Sequence, residues 1–176
     1  KFTLEDLIIH PRVRTDYYRG DINKEAFTLA LKESHNPVCY NGDIFTRRDL
    51  LNVIDDFNPD CIMAGRGLVA DGLINVLVSD NPADYVRNLD EDRRNMKLLH
   101  NRVYEERLKI MSGDKHAIHR MKEMWCYMEY AFADCRKEVK AIKKAQNMNA
   151  YKDAVNVFFT NCKLEEKPYI TFSKKF

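Results

Sequence analysis

Several features that mark membrane, secreted or repetitive proteins are missing from this sequence of 176 residues. It has no run of about 18 apolar residues, which argues against a transmembrane helix, and no signal peptide is recognisable. Low-complexity segments are also absent. Hydrophobic residues make up 45% of the chain and aromatic residues 11%, which predicts a folded protein with a sizeable core.

Patterns for metal binding and for disulfide pairing are missing too. The cysteines are odd in number and none stands in a Cys-x-x-Cys or Cys/His spacing; they are Cys39, Cys61, Cys126, Cys135 and Cys162. His116 and His119 lie three residues apart, but no further ligand cluster accompanies them. We therefore expect reduced thiols, a cytoplasmic location and no metal site.

Charge is distributed unevenly along the chain, although the net charge is only +2. Residues 1–82 contain 9 Lys and Arg against 13 Asp and Glu, whereas residues 83–176 contain 20 against 14. This asymmetry predicts two domains, 1–82 and 83–176, of which the second faces an anionic partner.

The first domain contains three short apolar runs, each followed by a polar turn and a helical pattern. The runs begin at Leu7, Pro37 and Cys61, and the helices are expected over 24–34, 47–57 (capped by Thr46) and 73–78. This order is typical of parallel βαβ units. Three parallel strands cannot bury both faces of a sheet, so we predict an α/β fold that is the end of a larger barrel or sheet.

Polar or glycine-rich turns end each predicted strand, and in a βα barrel such ends share one face. The turns contain His10 and Arg12, then Asn41-Gly42-Asp43, then Gly65-Arg66-Gly67. Backbone N–H groups of glycines together with a guanidinium suit a phosphate, and Gly42 is expected to turn with positive φ. The alternative is that the glycines only connect strands to helices and that Arg66 is a surface residue.

Helical patterns alone occupy the second domain and predict a helical bundle. Helices are expected over 90–111, 115–133, 135–146 and 150–162, followed by a frayed tail over 165–176. Apolar stripes at helical spacing predict the core. In the first helix the stripe is Met96, Leu99, Val103, Ile110 and Met111, and in the second it is Ile118, Met121, Trp125, Met128 and Phe132.

The third predicted helix carries a basic face opposite an apolar one. The basic residues are Arg136, Lys137, Lys140, Lys143 and Lys144, and the apolar residues are Val139, Ile142 and Ala145. Either the basic face is simply solvated or it contacts a nucleic-acid backbone; the charge asymmetry, taken together with the family resemblance of the strand-end turns, favours the second interpretation. Lys115, His116, His119, Arg120 and Lys122 could extend this surface.

The turns at the strand ends follow an order that resembles the tRNA-dihydrouridine synthase family. The matching motifs are His10-x-Arg12-x-Arg14, Tyr18-x-Gly20, Asn41-Gly42-Asp43-Ile44 and Met63-Ala64-Gly65-Arg66-Gly67. The resemblance implies the last three βα units of an FMN-binding TIM barrel, followed by an all-α helical bundle that binds tRNA. It covers about residues 5–75 in motif and 83–160 in helical character.

The resemblance also implies a flavin site beside an RNA entrance. The residues implied to contact FMN are His10, Asn41, Gly42, Asp43, Gly65 and Arg66, while Arg12 and Arg14 are implied to lie where tRNA enters. In that family reduced FMN supplies the hydride that turns uridine into 5,6-dihydrouridine, and NADPH reduces the flavin. We expect the uridine to leave the RNA stack in order to reach the flavin.

The family's proton-donating cysteine belongs to the first half of the barrel, and no cysteine here stands in that context. We therefore name no catalytic residue. We expect a C-terminal portion of the enzyme, inactive alone, with sequence before Lys1 that supplies the missing N-terminal half of the barrel. The alternatives are another FMN-dependent TIM-barrel oxidoreductase acting on a small molecule, which the basic domain disfavours, and a non-enzymatic RNA-binding fragment.

Overall fold

The computed structural model describes residues 4–16, 20–72 and 88–165 of the chain. The described residues up to Gly67 belong to one compact unit and those from Leu68 onward to another. The predicted domain boundary at residue 82, the helix predicted over 73–78 and nearly all of the tail predicted to fray lie outside the described residues. No helix among the described residues is long and apolar enough to cross a membrane.

The first unit is built on a parallel sheet of three strands in the order β1-β2-β3. The strands are β1 (Leu7–Ile9), β2 (Val38–Asn41) and β3 (Cys61–Met63). A 3-10 turn (Arg14–Asp16) and α1 (Lys24–Glu33) lie between β1 and β2, and α2 (Arg47–Phe57) lies between β2 and β3. The register places Ile8 beside Cys39 and Cys39 beside Cys61. The predicted α/β class is confirmed, whereas closure into a barrel stays a prediction.

The two faces of this sheet differ in their surroundings because successive side chains of a strand point in opposite directions. Tyr40 is fully buried against the helices, with its ring stacked on Phe57 and in edge contact with Phe27. On the other face Ile8 is 47% exposed and Met63 is 41% exposed. One face is therefore covered by helices, and the other presents apolar side chains to solvent.

Side-chain caps fix the helix boundaries of this unit. Thr46 and Asp49 form a reciprocal capping box at the start of α2, which confirms Thr46 as the predicted cap. Asn58 ends α2 in the left-handed region with a φ of 43°. A short helix, α3 (Arg66–Ala70), begins inside the Gly65-Arg66-Gly67 motif, so the prediction of a turn over all three residues is wrong.

The second unit packs four helices around one apolar core. They are α4 (Leu89–Ile110), α5 (Asp114–Met128), α6 (Arg136–Lys144) and α7 (Met148–Asn161). All five residues of the stripe predicted for the second helix are buried. In α4 the predicted stripe is partly wrong, since Ile110 is 67% exposed while His100 and Tyr104 are buried.

The helix predicted to continue to residue 133 instead ends at Met128. A 3-10 turn (Glu129–Ala131) follows, and then β4 (Phe132–Ala133) pairs antiparallel with β5 (Lys163–Leu164). The amide of Glu165 donates to the carbonyl of Ala131 as part of this contact. The pattern around Phe132 suits a helix locally, but pairing with a distant segment replaces the last helical turn with a strand.

A polar group is buried at the centre of this second core. His100 lies between aromatic rings, and its Nε2 is 2.8 Å from the hydroxyl of Tyr151, which also accepts a hydrogen bond from Trp125 Nε1 at 2.9 Å. Burial lowers the pKa of His100 to about 4, against the opposing effect of its hydrogen bond with Asn101. The imidazole is therefore neutral in the folded protein at neutral pH.

Stability should depend on pH because His100 binds a proton more weakly in the folded chain than in the unfolded one. As the pH falls below 6.5, His100 becomes protonated in the unfolded chain, whereas in the folded chain it stays neutral until about pH 4. The free energy of unfolding should therefore fall through this window, by about 3 kcal/mol from this residue alone. Urea denaturation at a series of pH values measures it.

The matched comparison is His100→Gln with His116→Gln, which removes an exposed histidine. His100→Gln should flatten the dependence between pH 6.5 and 4, whereas His116→Gln should follow the parent chain. An unchanged slope in His100→Gln would contradict this assignment.

Candidate functional site

The ends of the three strands are joined by one carboxylate that two arginines share. Arg12 Nη2 lies 2.5 Å from Asp43 Oδ2, and Arg66 Nη2 lies 3.0 Å from Asp43 Oδ1. Arg12 follows β1, Asp43 follows β2 and Arg66 follows β3. Each oxygen of the carboxylate therefore holds a different strand end, and the structure brings together the polar residues of the three predicted turns.

Arg12 is held more tightly than a residue at an open entrance would be. Its side chain is only 3% exposed, and its Nη1 donates to the carbonyl of Gly20 at 2.9 Å. The amide of Asn23, just before α1, donates to the carbonyl of Pro11, just after β1. Gly20 has a φ of 75°, a backbone conformation that favours glycine. Arg12 thus connects Asp43 and Gly20 within this unit.

Arg66 is the more accessible of the two arginines. Its side chain is partly exposed, and its guanidinium lies 5.1 Å from the centre of the Phe45 ring. A cation at this distance over an aromatic face is attracted by the ring. Asp43 and Phe45 together orient the Arg66 guanidinium.

His10 lies close enough to Arg12, Asp43 and Arg66 for their charges to affect its pKa. Burial lowers its pKa, and the charges of Arg12 and Arg66 lower it further, while Asp43 acts in the opposite direction. The ring is therefore favoured in its neutral form. The two guanidinium groups therefore stand beside an imidazole that is favoured in its neutral form, and such an arrangement suits an anionic group.

The glycines of the predicted turns serve different purposes. A Cβ on Gly42 would overlap the Tyr40 hydroxyl, and one on Gly67 would overlap the carbonyl oxygen of Ile44, so both positions are set by close packing. Gly42 does not have the predicted positive φ, which among the described glycines occurs only at Gly20 and Gly113. A Cβ on Gly65 would meet only open space. Of Gly42, Gly65 and Gly67, Gly65 is therefore the one that borders free volume.

Asn41 completes the polar edge of the sheet. Its side chain lies beside the Met63 sulfur, on the face of the sheet opposite the helices. The start of α2 is not an open anion site, because the amides of Phe45 and Thr46 both donate to Asp49. The groups that remain suited to an anion are Arg66 and the backbone around Gly65.

The predicted basic face is formed on α6. Val139 and Ile142 are buried beneath it, with Ala145 just past the helix end, whereas the five basic residues of the face are exposed. Lys143 is already paired with Glu129 at 2.8 Å. Among the residues suggested to extend the surface, Lys122 donates to the carbonyl of Ala145, and Arg120 pairs with Glu123.

Arg14 stands apart from the cluster, exposed in the 3-10 turn after β1. Two contributors to the site were not predicted, namely the carbonyl of Gly20 and the ring of Phe45. An aromatic residue directly after Asn41-Gly42-Asp43-Ile44 is the signal that could have indicated the second. A backbone acceptor such as Gly20 leaves no signal in the residue type.

Comparison with known families gives one match. The sequence model described as dihydrouridine synthase matches residues 4–162, which is most of the chain. This match confirms the resemblance inferred from the ordered motifs. A comparison with curated proteins found no match.

Replacing the shared carboxylate should destabilise the first unit. In Asp43→Asn the side chain keeps one carbonyl oxygen but sets an amide NH₂ against a guanidinium, leaving the buried charge of Arg12 poorly compensated. We expect a loss of about 2 kcal/mol in the free energy of unfolding. Urea denaturation measures it.

Asp56→Asn is the control, because Asp56 forms an exposed pair with Lys24 at 2.7 Å. It should cost less than about 1 kcal/mol. Equal losses in the two variants would show that the Asp43 cluster does not hold the strand ends.

Proposed function

We propose that this chain, which belongs to the dihydrouridine synthase family of oxidoreductases, provides the phosphate-binding end of an FMN site. We further propose that its second unit contacts tRNA, the substrate in which uridine is reduced to 5,6-dihydrouridine. The observation that carries the proposal is the sharing of Asp43 between Arg12 and Arg66 at the ends of consecutive parallel strands.

The residues of the first unit fit a phosphate ester. The Arg66 guanidinium is partly exposed, and the side of Gly65 is open. In this proposal Arg66 and the backbone around Gly65 hold the phosphate of FMN, and Asn41 contacts the ribityl chain. Gly42 shapes the turn through its contact with Tyr40. Asp43 acts by orienting Arg66.

Bound FMN supplies hydride chemistry, with NADPH as the source of electrons. His10, neutral and at the same strand ends, is suited to pack beside the flavin and to hydrogen-bond to it without adding charge. No residue of this chain is proposed as the proton donor. In this proposal the flavin lies at the strand ends, next to the face of the sheet that carries Asn41, Met63 and Ile8.

That face also supports the proposal that further strands complete the sheet. Ile8 and Met63 are large apolar residues that remain substantially exposed, and Cys39 lies between β1 and β3 on the same side. Parallel sheets are normally covered on both faces. In the proposed enzyme the remaining strands of a TIM barrel enclose these side chains.

The proposed tRNA contact rests on the exposed basic residues of α6. Lys137, Lys140 and Lys144 stand on a helix whose opposite side is anchored in the core. Such a face can approach a phosphate backbone without rearrangement. Arg14 is proposed to contact tRNA from the first unit, and Lys143 contributes less because Glu129 already neutralises it.

Arg66→Ala should weaken FMN binding but leave riboflavin binding unchanged, because riboflavin lacks the phosphate. Loss of a charge-assisted hydrogen bond corresponds to roughly ten- to hundredfold in the dissociation constant of FMN. Quenching of flavin fluorescence measures both ligands. Arg48→Ala, which removes an exposed arginine of α2, is the control. Equal losses for FMN and riboflavin would contradict a phosphate contact.

Lys140→Gln should reduce both tRNA affinity and its dependence on salt. If Lys140 neutralises one phosphate, the slope of log affinity against log salt should become smaller by about one. Filter binding over a range of potassium chloride concentrations measures this. Lys32→Gln, on an exposed part of α1, is the charge-matched control and should retain the parent slope. A salt dependence identical in both variants would remove α6 from the proposed interface.

A further inference from the structure

A cleft in the second unit lies between α4 and α7, apart from the basic face. Its volume is about 210 Å³. Aromatic and amide side chains dominate its lining, which includes His100, Asn101, Tyr104, Tyr151 and Asn156. Pockets for drug-sized ligands start at about 300 Å³, so this cleft suits a single small ring system.

The hydroxyl of Tyr104 is the first indication of a ligand. Tyr104 is only 5% exposed, and its hydroxyl is buried with no hydrogen-bond partner within the described part of the chain. A buried hydroxyl without a partner costs free energy, and such groups in folded proteins are usually paired. Because Tyr104 lines the cleft, a molecule bound there could supply the missing partner.

A directed chain of hydrogen bonds is the second indication. Trp125 Nε1 can only donate, so the oxygen of Tyr151 accepts from it, and Tyr151 donates its own proton to His100 Nε2. His100 Nδ1 then donates to Asn101 Oδ1, 3.0 Å away. The chain uses the carbonyl of Asn101 and leaves its NH₂ as a donor at the cleft.

The cleft therefore offers both hydrogen-bond donors and acceptors above a floor of buried rings. Tyr104 and the NH₂ of Asn101 can donate, and Glu105 and the amide of Asn156 can accept. The rings of His100 and Tyr104 lie against each other, 6.5 Å apart between ring centres, and are 1% and 5% exposed, so they form the buried floor of the cleft. Unpaired nucleobases are recognised by hydrogen bonds to their edges, which the polar groups of this cleft can supply.

We propose that the cleft between α4 and α7 binds one nucleobase, presented by an unpaired nucleotide of the RNA substrate. This inference rests on the proposed contact of the second unit with RNA. Lys152, at the same cleft, is placed to meet a phosphate next to the bound base. The bound base anchors the RNA by a contact distinct from the phosphate contacts of α6.

The test compares single-stranded oligouridylate and oligoadenylate with an abasic sugar-phosphate oligomer of equal length, using fluorescence anisotropy on the 176-residue chain. The parent chain should bind at least one base-bearing oligomer roughly fivefold more tightly than the abasic one, the effect of about one hydrogen bond. Tyr104→Phe should abolish this difference while its melting temperature stays equal or rises, because it removes an unpaired buried hydroxyl.

Two further variants distinguish binding of a base in the cleft from electrostatic attraction of the sugar-phosphate backbone. Leu108→Trp, which places a large ring at the cleft, should also remove the preference for bases. Lys140→Gln should weaken the base-bearing and abasic oligomers alike. Binding of uridine and adenosine monophosphates is measured separately. If either one binds the parent chain but not Tyr104→Phe, the cleft also binds free nucleotides.

The outcomes distinguish this inference from the proposed function. Binding of all oligomers without any preference for bases, or a preference that survives both Tyr104→Phe and Leu108→Trp, would overturn the base site and leave the α6 contact standing. Failure of every oligomer to bind, the abasic one included, would overturn both proposals.

Discussion

The carboxylate of Asp43 is the group on which the arrangement of the first unit depends. It accepts from Arg12 on one oxygen and from Arg66 on the other, and so it connects the ends of three strands. The Arg12 guanidinium is almost completely buried, a position that an arginine tolerates only when its charge is compensated. The same carboxylate holds Arg66 in a partly exposed position beside Gly65, and this arrangement is the basis of the proposed phosphate site.

The second unit depends on a different constraint, namely the satisfaction of polar groups within an aromatic core. Trp125 donates to the hydroxyl of Tyr151, which in turn donates to His100. These hydrogen bonds allow the histidine to be buried in its neutral form. The buried side of α6 contributes Val139 and Ile142 to the same core, and this anchors its basic side toward solvent. A well-packed interior thereby holds both the proposed phosphate contacts and the proposed base cleft in fixed positions.

Family membership and side-chain geometry carry different parts of the functional interpretation. The match over residues 4–162 assigns the chain to the dihydrouridine synthases and thus to a family of oxidoreductases. The geometry assigns separate tasks to motif residues that look equivalent in sequence. Arg12 is buried and donates to the carbonyl of Gly20, Arg66 is partly exposed, Gly42 and Gly67 avoid steric overlap, and Gly65 borders open space.

By itself the sequence determined the three parallel strands with the helices between them, the four helices of the second unit and the basic face of α6, because these follow from local periodicity and capping residues. The apolar stripe that contains Trp125 was likewise predicted from the helical spacing of apolar residues. Only the tertiary structure decided that residues 132–133 form a strand, since the partner strand is distant in sequence. It alone decided that Arg12 is buried and that His100 lies in the core, because hydrogen-bond partners such as Gly20 and Tyr151 are brought close only by folding.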